Sequence, residues 1–239
     1  MNSQKPTGLS VVLPTLNEVC NIGRIIMDIR NIGLDSKSCE IVVIDDGSSD
    51  GTIELVERLL REDRSIILHR NVKRMGLAES IRLGIELSSS EFIAVMDSDG
   101  MHDPCYLPRM LQLSKQDQGL IIGSRFVSGG FLNGVLYPRL SRLVNYLIQQ
   151  MLCSKVKDQL CGFFLCRRNE LKEVPARYFT GFGAYFIAVI DHFETKKIPI
   201  KEIGTYQEAR TKGKRKSKRF KMFVSYMRAA WQLRTSGKR

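Results

Sequence analysis

Short apolar runs alternate with stretches of helical period along the first half of the chain. Leu9 to Leu13 (Leu-Ser-Val-Val-Leu) reads as a buried strand that ends at Pro14, and Asn21 to Arg30 then carries apolar residues at helical spacing. Glu40 to Ile44 is a second β-branched run, cut off by Asp45-Asp46-Gly47-Ser48-Ser49-Asp50-Gly51, and Thr52 to Leu60 is helical in period. Ser65 to Leu68 predicts a third strand, Gly76 to Leu87 a helix, and Phe92 to Met96 a fourth strand that stops at Asp97-Ser98-Asp99-Gly100. Leu107 to Ser114 and Gly119 to Gly123 continue the alternation. Strands alternating with helices predict an α/β fold with a mostly parallel sheet flanked by helices. The polar loops after residues 13, 44 and 96 should then share one rim, at the carboxyl ends of the strands where such sheets bind ligands.

The pattern changes at Arg139. Leu140, Leu143, Val144, Leu147, Ile148, Met151 and Leu152 form a helical apolar stripe, so an amphipathic helix is expected over about 139–153. It reads either as core-facing or as lying at an interface. Arg139 and Arg142 oppose the macrodipole at its start, so they either serve an anion or precede the helix proper. At the C-terminus, Phe220, Phe223, Val224, Met227, Ala230, Trp231 and Leu233 are interleaved with Lys218, Arg219, Lys221, Arg228 and Arg234. That basic amphipathic segment suits a membrane interface or packing against the domain. The division expected is one main domain over residues 1–210 and a basic tail over 211–239.

Charge sharpens this picture. The net charge of +12 is concentrated after residue 195, where fifteen Lys or Arg face only Glu202 and Glu208. A near-neutral body with a basic end points to an anionic surface or ligand: phospholipid, a phosphorylated substrate or nucleic acid. The run Lys212 to Lys221 has no interleaved aromatic platform, its single aromatic being Phe220, which counts against a nucleic-acid-binding protein. No apolar run approaches the roughly 20 residues needed to span a bilayer, and no basic-then-apolar leader precedes Leu9, so a cytosolic protein is expected. The six cysteines show no C-x-x-C spacing, and they are expected to be reduced and mostly buried.

Asp97-Ser98-Asp99 places two carboxylates at a strand end, where they can share a divalent cation with a diphosphate. An aspartyl phosphatase also uses D-x-D, but near its first strand. Asp45-Asp46-Gly47-Ser48 is a second acidic strand end, which alone would be only a turn. Two acidic loops on one rim, with arginines downstream, suit a nucleotide-sugar. No G-x-G-x-x-G and no P-loop motif is present.

The order Val12-Leu-Pro-Thr-Leu-Asn-Glu18, Ile44-Asp-Asp-Gly-Ser-Ser-Asp-Gly-Thr52, Arg74-Met-Gly-Leu77, Met96-Asp-Ser-Asp99 with His102, Gly123-Ser-Arg-Phe126 and Lys157-Asp-Gln-Leu-Cys-Gly-Phe-Phe164 resembles the family 2 inverting glycosyltransferases. Within them it is most similar to those that mannosylate dolichyl or other polyprenyl phosphates. The resemblance implies a GT-A (Rossmann-like) fold and a Mg²⁺- or Mn²⁺-dependent transfer of mannose from GDP-mannose to a polyprenyl phosphate. Such an enzyme would sit peripherally on the cytosolic face of the ER or plasma membrane, with a membrane-embedded partner subunit possible and no nucleic acid involved. A UDP-sugar donor of glucose or N-acetylglucosamine stays open. The resemblance assigns Pro14, Leu16, Glu18, Ile44 and Asp46 to the nucleoside, and Asp97, Ser98 and Asp99 to the diphosphate and metal. Arg125 would contact the donor and be catalytic with Asp97 and Asp99, and Arg210 and Lys218 would complete the donor site. The spacing from Arg210 leaves Lys216 as a competitor for Lys218. Met101 stands where relatives offer a polar metal neighbour such as Gln, and Cys161 where Ser is common. A lipid phosphate is already an anionic nucleophile and needs no general base, unlike a sugar hydroxyl. Arg139 and Arg142 are the residues expected to receive it bidentately.

Overall fold

A computed structural model describes residues 8–34, 38–117, 119–133, 136–207 and 219–236. The first half builds β1 (Leu9–Thr15), α1 (Ile22–Asn31), β2 (Cys39–Asp45), α2 (Thr52–Glu62), β3 (Ile66–Arg70), α3 (Leu77–Leu87) and β4 (Phe92–Val95). After a turn of 3-10 helix come α4 (Leu107–Asp117), β5 (Leu120–Ser124), β6 (Phe131–Leu132), α5 (Leu136–Leu152) and β7 (Phe164–Arg167). The chain then forms α6 (Arg168–Lys172), α7 (Ala184–Thr195), β8 (Ile200–Gly204), β9 (Tyr206–Gln207) and α8 (Arg219–Thr235).

The main sheet has seven strands in the order β3-β2-β1-β4-β7-β5-β8, and β6 and β9 form a separate pair. Every neighbour in the main sheet is parallel except β7, which runs antiparallel to both β4 and β5. The carboxyl ends of β1, β2 and β4 therefore meet on one edge, as the sequence pattern predicts. β1 and β2 are buried along nearly their whole length, the signature of central parallel strands covered on both faces.

β1 runs two residues past the predicted stop, through Pro14 to Thr15. Its ladder to β4 ends at Val12, whereas its ladder to β2 continues to Thr15. Pro14 thus lies where one flank of the strand has no partner, and a missing N–H is tolerated there. α1 buries Ile22, Ile25, Ile26 and Ile29, a spacing that sets all four on one face, each contributing about 1.5–3 kcal/mol by leaving water. α3 approaches the sheet through Gly84, where a Cβ would collide with Cγ1 of Val12.

α5, α7 and α8 pack together around a second apolar cluster of Val144, Ile148, Leu152, Ala184, Ile187, Ala188, Tyr226, Ala230 and Leu233. The C-terminal helix is therefore part of the packed structure. α5 begins at Leu136, so Arg139 and Arg142 lie within the helix and not ahead of it. Three cysteines are buried (Cys39, Cys161, Cys166), but Cys20, Cys105 and Cys153 are exposed, contrary to the expectation of mostly buried thiols, because Cys20 and Cys153 sit in turns beside α1 and α5 and Cys105 in the 3-10 turn before α4.

Candidate active site

The loops after β1 and β2 are tied to each other. Asn17, in the left-handed region at φ 50°, donates its N–H to Ser48 Oγ at 2.7 Å, and Ser49 N–H returns a bond to Asn17 Oδ1 at 2.8 Å. Glu18 N–H donates to Thr52 Oγ1 at 2.9 Å, and its carboxylate, almost fully buried, accepts from Asn21 Nδ2 at 2.8 Å. Asp46 reaches across to the next loop, where Oδ1 accepts from Asn71 Nδ2 (2.9 Å) and Met75 N–H (2.7 Å), and Oδ2 from Gly76 N–H (3.0 Å). Its neighbour Asp45 accepts the N–H groups of Gly47 and Ser48 and shapes the turn. Asp46 thereby fixes the segment that carries Arg74 to the rim, a role the sequence did not reveal.

Beyond β4, Asp97, Ser98 and Asp99 enter the same cleft. Ser98 Oγ donates to the Pro14 carbonyl at 2.8 Å, joining this loop to β1, and Asp99 Oδ1 accepts Met101 N–H at 3.0 Å. His102 is buried, its ring stacked on Phe163 with centroids 5.0 Å apart, and its Nδ1 accepts Asp97 N–H at 3.0 Å. Burial pushes the imidazole down to about 4, so it is neutral near pH 7.

Arg125 follows β5 and pairs with the fully buried Asp158. Its Nε and backbone N–H donate to Oδ2 at 2.8 and 2.9 Å, and Nη2 donates to Oδ1 at 2.6 Å. The guanidinium also lies over the Phe126 ring, 5.1 Å from the centroid, and Arg142 lies over the same ring at 5.3 Å. Cys161, buried and with its thiol pushed up to about 12 by burial and then by the nearby Asp158, donates to the Gly123 carbonyl at 2.6 Å and accepts from Gln207 Nε2 at 3.1 Å. The thiol fills the donor and acceptor places a serine hydroxyl would take there.

These groups line a cleft of about 1030 Å³ whose lining is of two kinds. The loops that follow the strands contribute Glu18, Asp46, Arg74, Asp97, Asp99 and Arg125. The helices contribute Leu140 and Val144 of α5, Phe182 and Phe186 at the start of α7, and Met222 and Phe223 of α8. Tyr185 and Tyr226 also face it, and burial raises the Tyr185 hydroxyl well above its ordinary value, with Asp97 adding to the effect. Leu140 and Phe223 are also partly open to solvent, and beside them Leu143, Tyr146, Leu147, Val224 and Trp231 are exposed on α5 and α8. Among the described residues no helix is long and apolar enough to cross a membrane.

Of the residues predicted from sequence, Pro14, Leu16, Glu18, Asp46, Asp97, Ser98, Asp99 and Arg125 line the cleft together. Ile44 does not: its side chain is fully buried in the core near Gly84 of α3. Arg139 and Arg142 are exposed on α5 and are not cleft-lining, although the adjacent Leu140 and Ser141 are. Arg210, Lys216 and Lys218 lie outside the described residues. Sequence reasoning assigned no role to Arg74, Asp158 or Tyr185, and it read the α8 segment as a membrane-interface or packing helix without placing it at the cleft. Arg74 and Asp158 stood inside motifs already noticed, but Tyr185 carried no signal beyond apolar spacing.

The architecture is that of the GT-A glycosyltransferases. A structure of glucosyl-3-phosphoglycerate synthase from Mycobacterium tuberculosis, in complex with Mn²⁺, UDP and phosphoglyceric acid, matches with a TM-score of 0.72 at 21% identity, over 96% of this chain and 79% of that one. Residues 10–174 match the family model for glycosyl transferase family 2, and the chain belongs to that family. Among curated relatives, a dolichol-phosphate mannosyltransferase of Pyrococcus furiosus is 31% identical over 170 residues, covering 70% of this chain and 48% of that protein. A polyprenol monophosphomannose synthase of Mycolicibacterium smegmatis is 32% identical over 171 residues, 69% of this chain and 63% of that protein. The matched stretch thus spans about half to two thirds of these relatives.

Proposed function

We propose that this glycosyltransferase moves mannose from GDP-mannose to a polyprenyl phosphate, with inversion at the anomeric carbon. The observation that carries the reading is the division of the cleft. The lining contributed by the strand-end loops is acidic and polar, while the lining contributed by α5, α7 and α8 is largely apolar and, among the described residues, presents no carboxylate and no imidazole. A sugar hydroxyl acceptor would call for a general base there, but a phosphate monoester is already ionised and asks only for positioning. The one histidine of the cleft is unsuited to proton abstraction, since Nδ1 is occupied by Asp97 N–H. The names of the two curated relatives favour a polyprenyl acceptor and mannose.

In this reading Glu18 and the rim loops hold the nucleoside, Asp46 keeps the Arg74 segment in place, and Arg74 meets the diphosphate charge. Asp97 and Asp99 would hold a divalent cation. The donor set fits one: two carboxylates at a strand end are hard oxygen ligands, and no group of three or more His, Cys, Asp or Glu occurs among the described residues, so diphosphate oxygens and water would complete the shell. Bound there, Mg²⁺ or Mn²⁺ would supply charge neutralisation to the leaving nucleoside diphosphate. Arg125, held rigid by Asp158, presents fixed positive potential toward the reacting centre.

The exposed apolar residues of α5 and α8 would rest on a cytosolic membrane leaflet, with Arg139 and Arg142 at headgroup level beside the cleft mouth. Each such cation contributes about 1 kcal/mol on anionic lipid. A membrane-embedded partner subunit is compatible with this mode but not required by it. The test is an acceptor panel with labelled GDP-mannose: polyprenyl phosphate, the same polyprenol without phosphate, and a soluble sugar. Product from the phosphate alone supports the reading, whereas product from the alcohol or the sugar refutes it. Running UDP-glucose and UDP-N-acetylglucosamine in parallel decides the donor.

A further inference from the structure

His102 lies three residues beyond Asp99, and its surroundings give it work that the donor site alone does not explain. β4 pairs antiparallel with β7 from Phe92 opposite Arg167 to Val95 opposite Phe164. Continuing that register would set Asp97 opposite Gly162. Gly162, however, takes φ 75° and leaves the ladder. On the other flank β1 has also run out, since the last bond from this side is Met96 N–H to the Val12 carbonyl at 3.2 Å. The Asp97 N–H therefore has no partner in a neighbouring strand at the point where the chain must hold two carboxylates in register, and this half-buried N–H must bond elsewhere.

His102 Nδ1 fills that place at 3.0 Å. Because Nδ1 accepts, the proton of the neutral ring resides on Nε2, on the side of the ring near the Cys161 backbone. Stacking on Phe163 fixes the plane of the ring. One side chain thus spans the β4–α4 loop and the segment before β7, the segment that also carries Asp158, the partner of Arg125.

We propose that His102 is a positioning residue of the donor site: its imidazole replaces the missing strand partner of Asp97 and so aligns the Asp97 and Asp99 carboxylates on one divalent cation. The inference rests on the nucleotide-sugar reading of the cleft. His102→Phe keeps the ring stack and removes the acceptor for Asp97 N–H, whereas His102→Asn restores an acceptor.

The experiment measures free Mn²⁺ by electron paramagnetic resonance in titrations of GDP-saturated protein, alongside metal-free GDP binding by calorimetry and a thermal melt. His102→Phe is expected to weaken Mn²⁺ binding by about tenfold or more, the usual effect of removing an outer support of a metal site. Metal-free GDP affinity should be unchanged, and His102→Asn should recover part of the loss. A folded His102→Phe protein that binds Mn²⁺ as tightly as the unaltered one overturns the proposal. Equal loss of metal and metal-free GDP binding also overturns it, because the histidine would then merely support the cleft. If His102→Phe does not fold, His102→Asn decides: Mn²⁺ affinity nearer to the unaltered protein than that of His102→Ala supports the role, and equality of Asn and Ala refutes it. If the unaltered protein binds neither GDP nor UDP, the nucleotide-sugar reading fails and this role falls with it. Binding of GDP and Mn²⁺ that His102→Phe leaves intact removes the positioning role alone.

Discussion

Removing Asp158 should destabilise the protein more than almost any other single change. Its carboxylate is fully buried and accepts three hydrogen bonds from Arg125, whose side chain is only 6% exposed. Asp158→Ala leaves the guanidinium charge buried without its partner, and breaking a buried pair in this way costs about 3–5 kcal/mol. At an m-value of about 3 kcal/mol/M the urea midpoint would fall by about 1–1.7 M. Arg125→Met should cost a similar amount, since it strands the carboxylate. The double variant Arg125→Met/Asp158→Leu removes both charges and should cost less than the sum of the singles, with a coupling of about 2 kcal/mol or more. Urea unfolding of all four proteins, followed by circular dichroism at low and high salt, reads the cycle. The coupling should survive high salt, because buried charges are poorly screened. A midpoint shift below about 0.3 M for Asp158→Ala, or strict additivity of the two singles, would refute the reasoning.

Three further outcomes are expected. Asp97→Ala should abolish sugar transfer while leaving the melting temperature unchanged, and chelation of divalent cations should abolish transfer by the unaltered protein; transfer retained in either case would disprove the carboxylate clamp. Cys161, with its thiol raised to about 12, should resist alkylation near neutral pH while the exposed Cys20 and Cys153 react, as peptide mass spectrometry can read; early labelling of Cys161 would show that its burial is wrong. Gly84→Ala should lower stability by about 1–3 kcal/mol through overpacking, because the new Cβ meets the stiff, buried Val12 and outweighs the gain of about 1 kcal/mol in helix propensity. A Gly84→Ala protein with a raised melting temperature would mean that α3 can shift freely on the sheet.

The elements that run to the site were legible because β1, β2 and β4 are marked by short apolar runs, the first closed by Pro14 and the other two stopping abruptly in Asp and Gly. Val42 to Asp46 and Ile93 to Asp97 mark both the sheet and its active edge with the same residues. What failed to show was of other kinds. β7 has four residues and is inserted antiparallel between β4 and β5, an arrangement no local spacing encodes. β8, Ile-Lys-Glu-Ile-Gly at the sheet edge, carries charged residues between its two isoleucines and offered no apolar run to mark it. Ile44 sits in a motif of donor-site residues yet points into the core, since alternate residues of a strand face opposite sides. Asp46 and Arg125 were found as site residues, but their partners, Met75 and Gly76 for one and Asp158 for the other, are distant in sequence and emerge only from the fold. The apolar spacing of α8 was plain, but its partners on α5 and α7 were not.

The most direct test of the central claim is transfer of labelled mannose from GDP-mannose to detergent-dispersed polyprenyl phosphate with Mg²⁺ or Mn²⁺, with the anomeric configuration of the product read by NMR. The account predicts a metal-dependent, acid-labile mannolipid of inverted configuration, formed by the unaltered protein and not by Asp97→Ala. A mannolipid of retained configuration, or one formed equally well by Asp97→Ala, would contradict it.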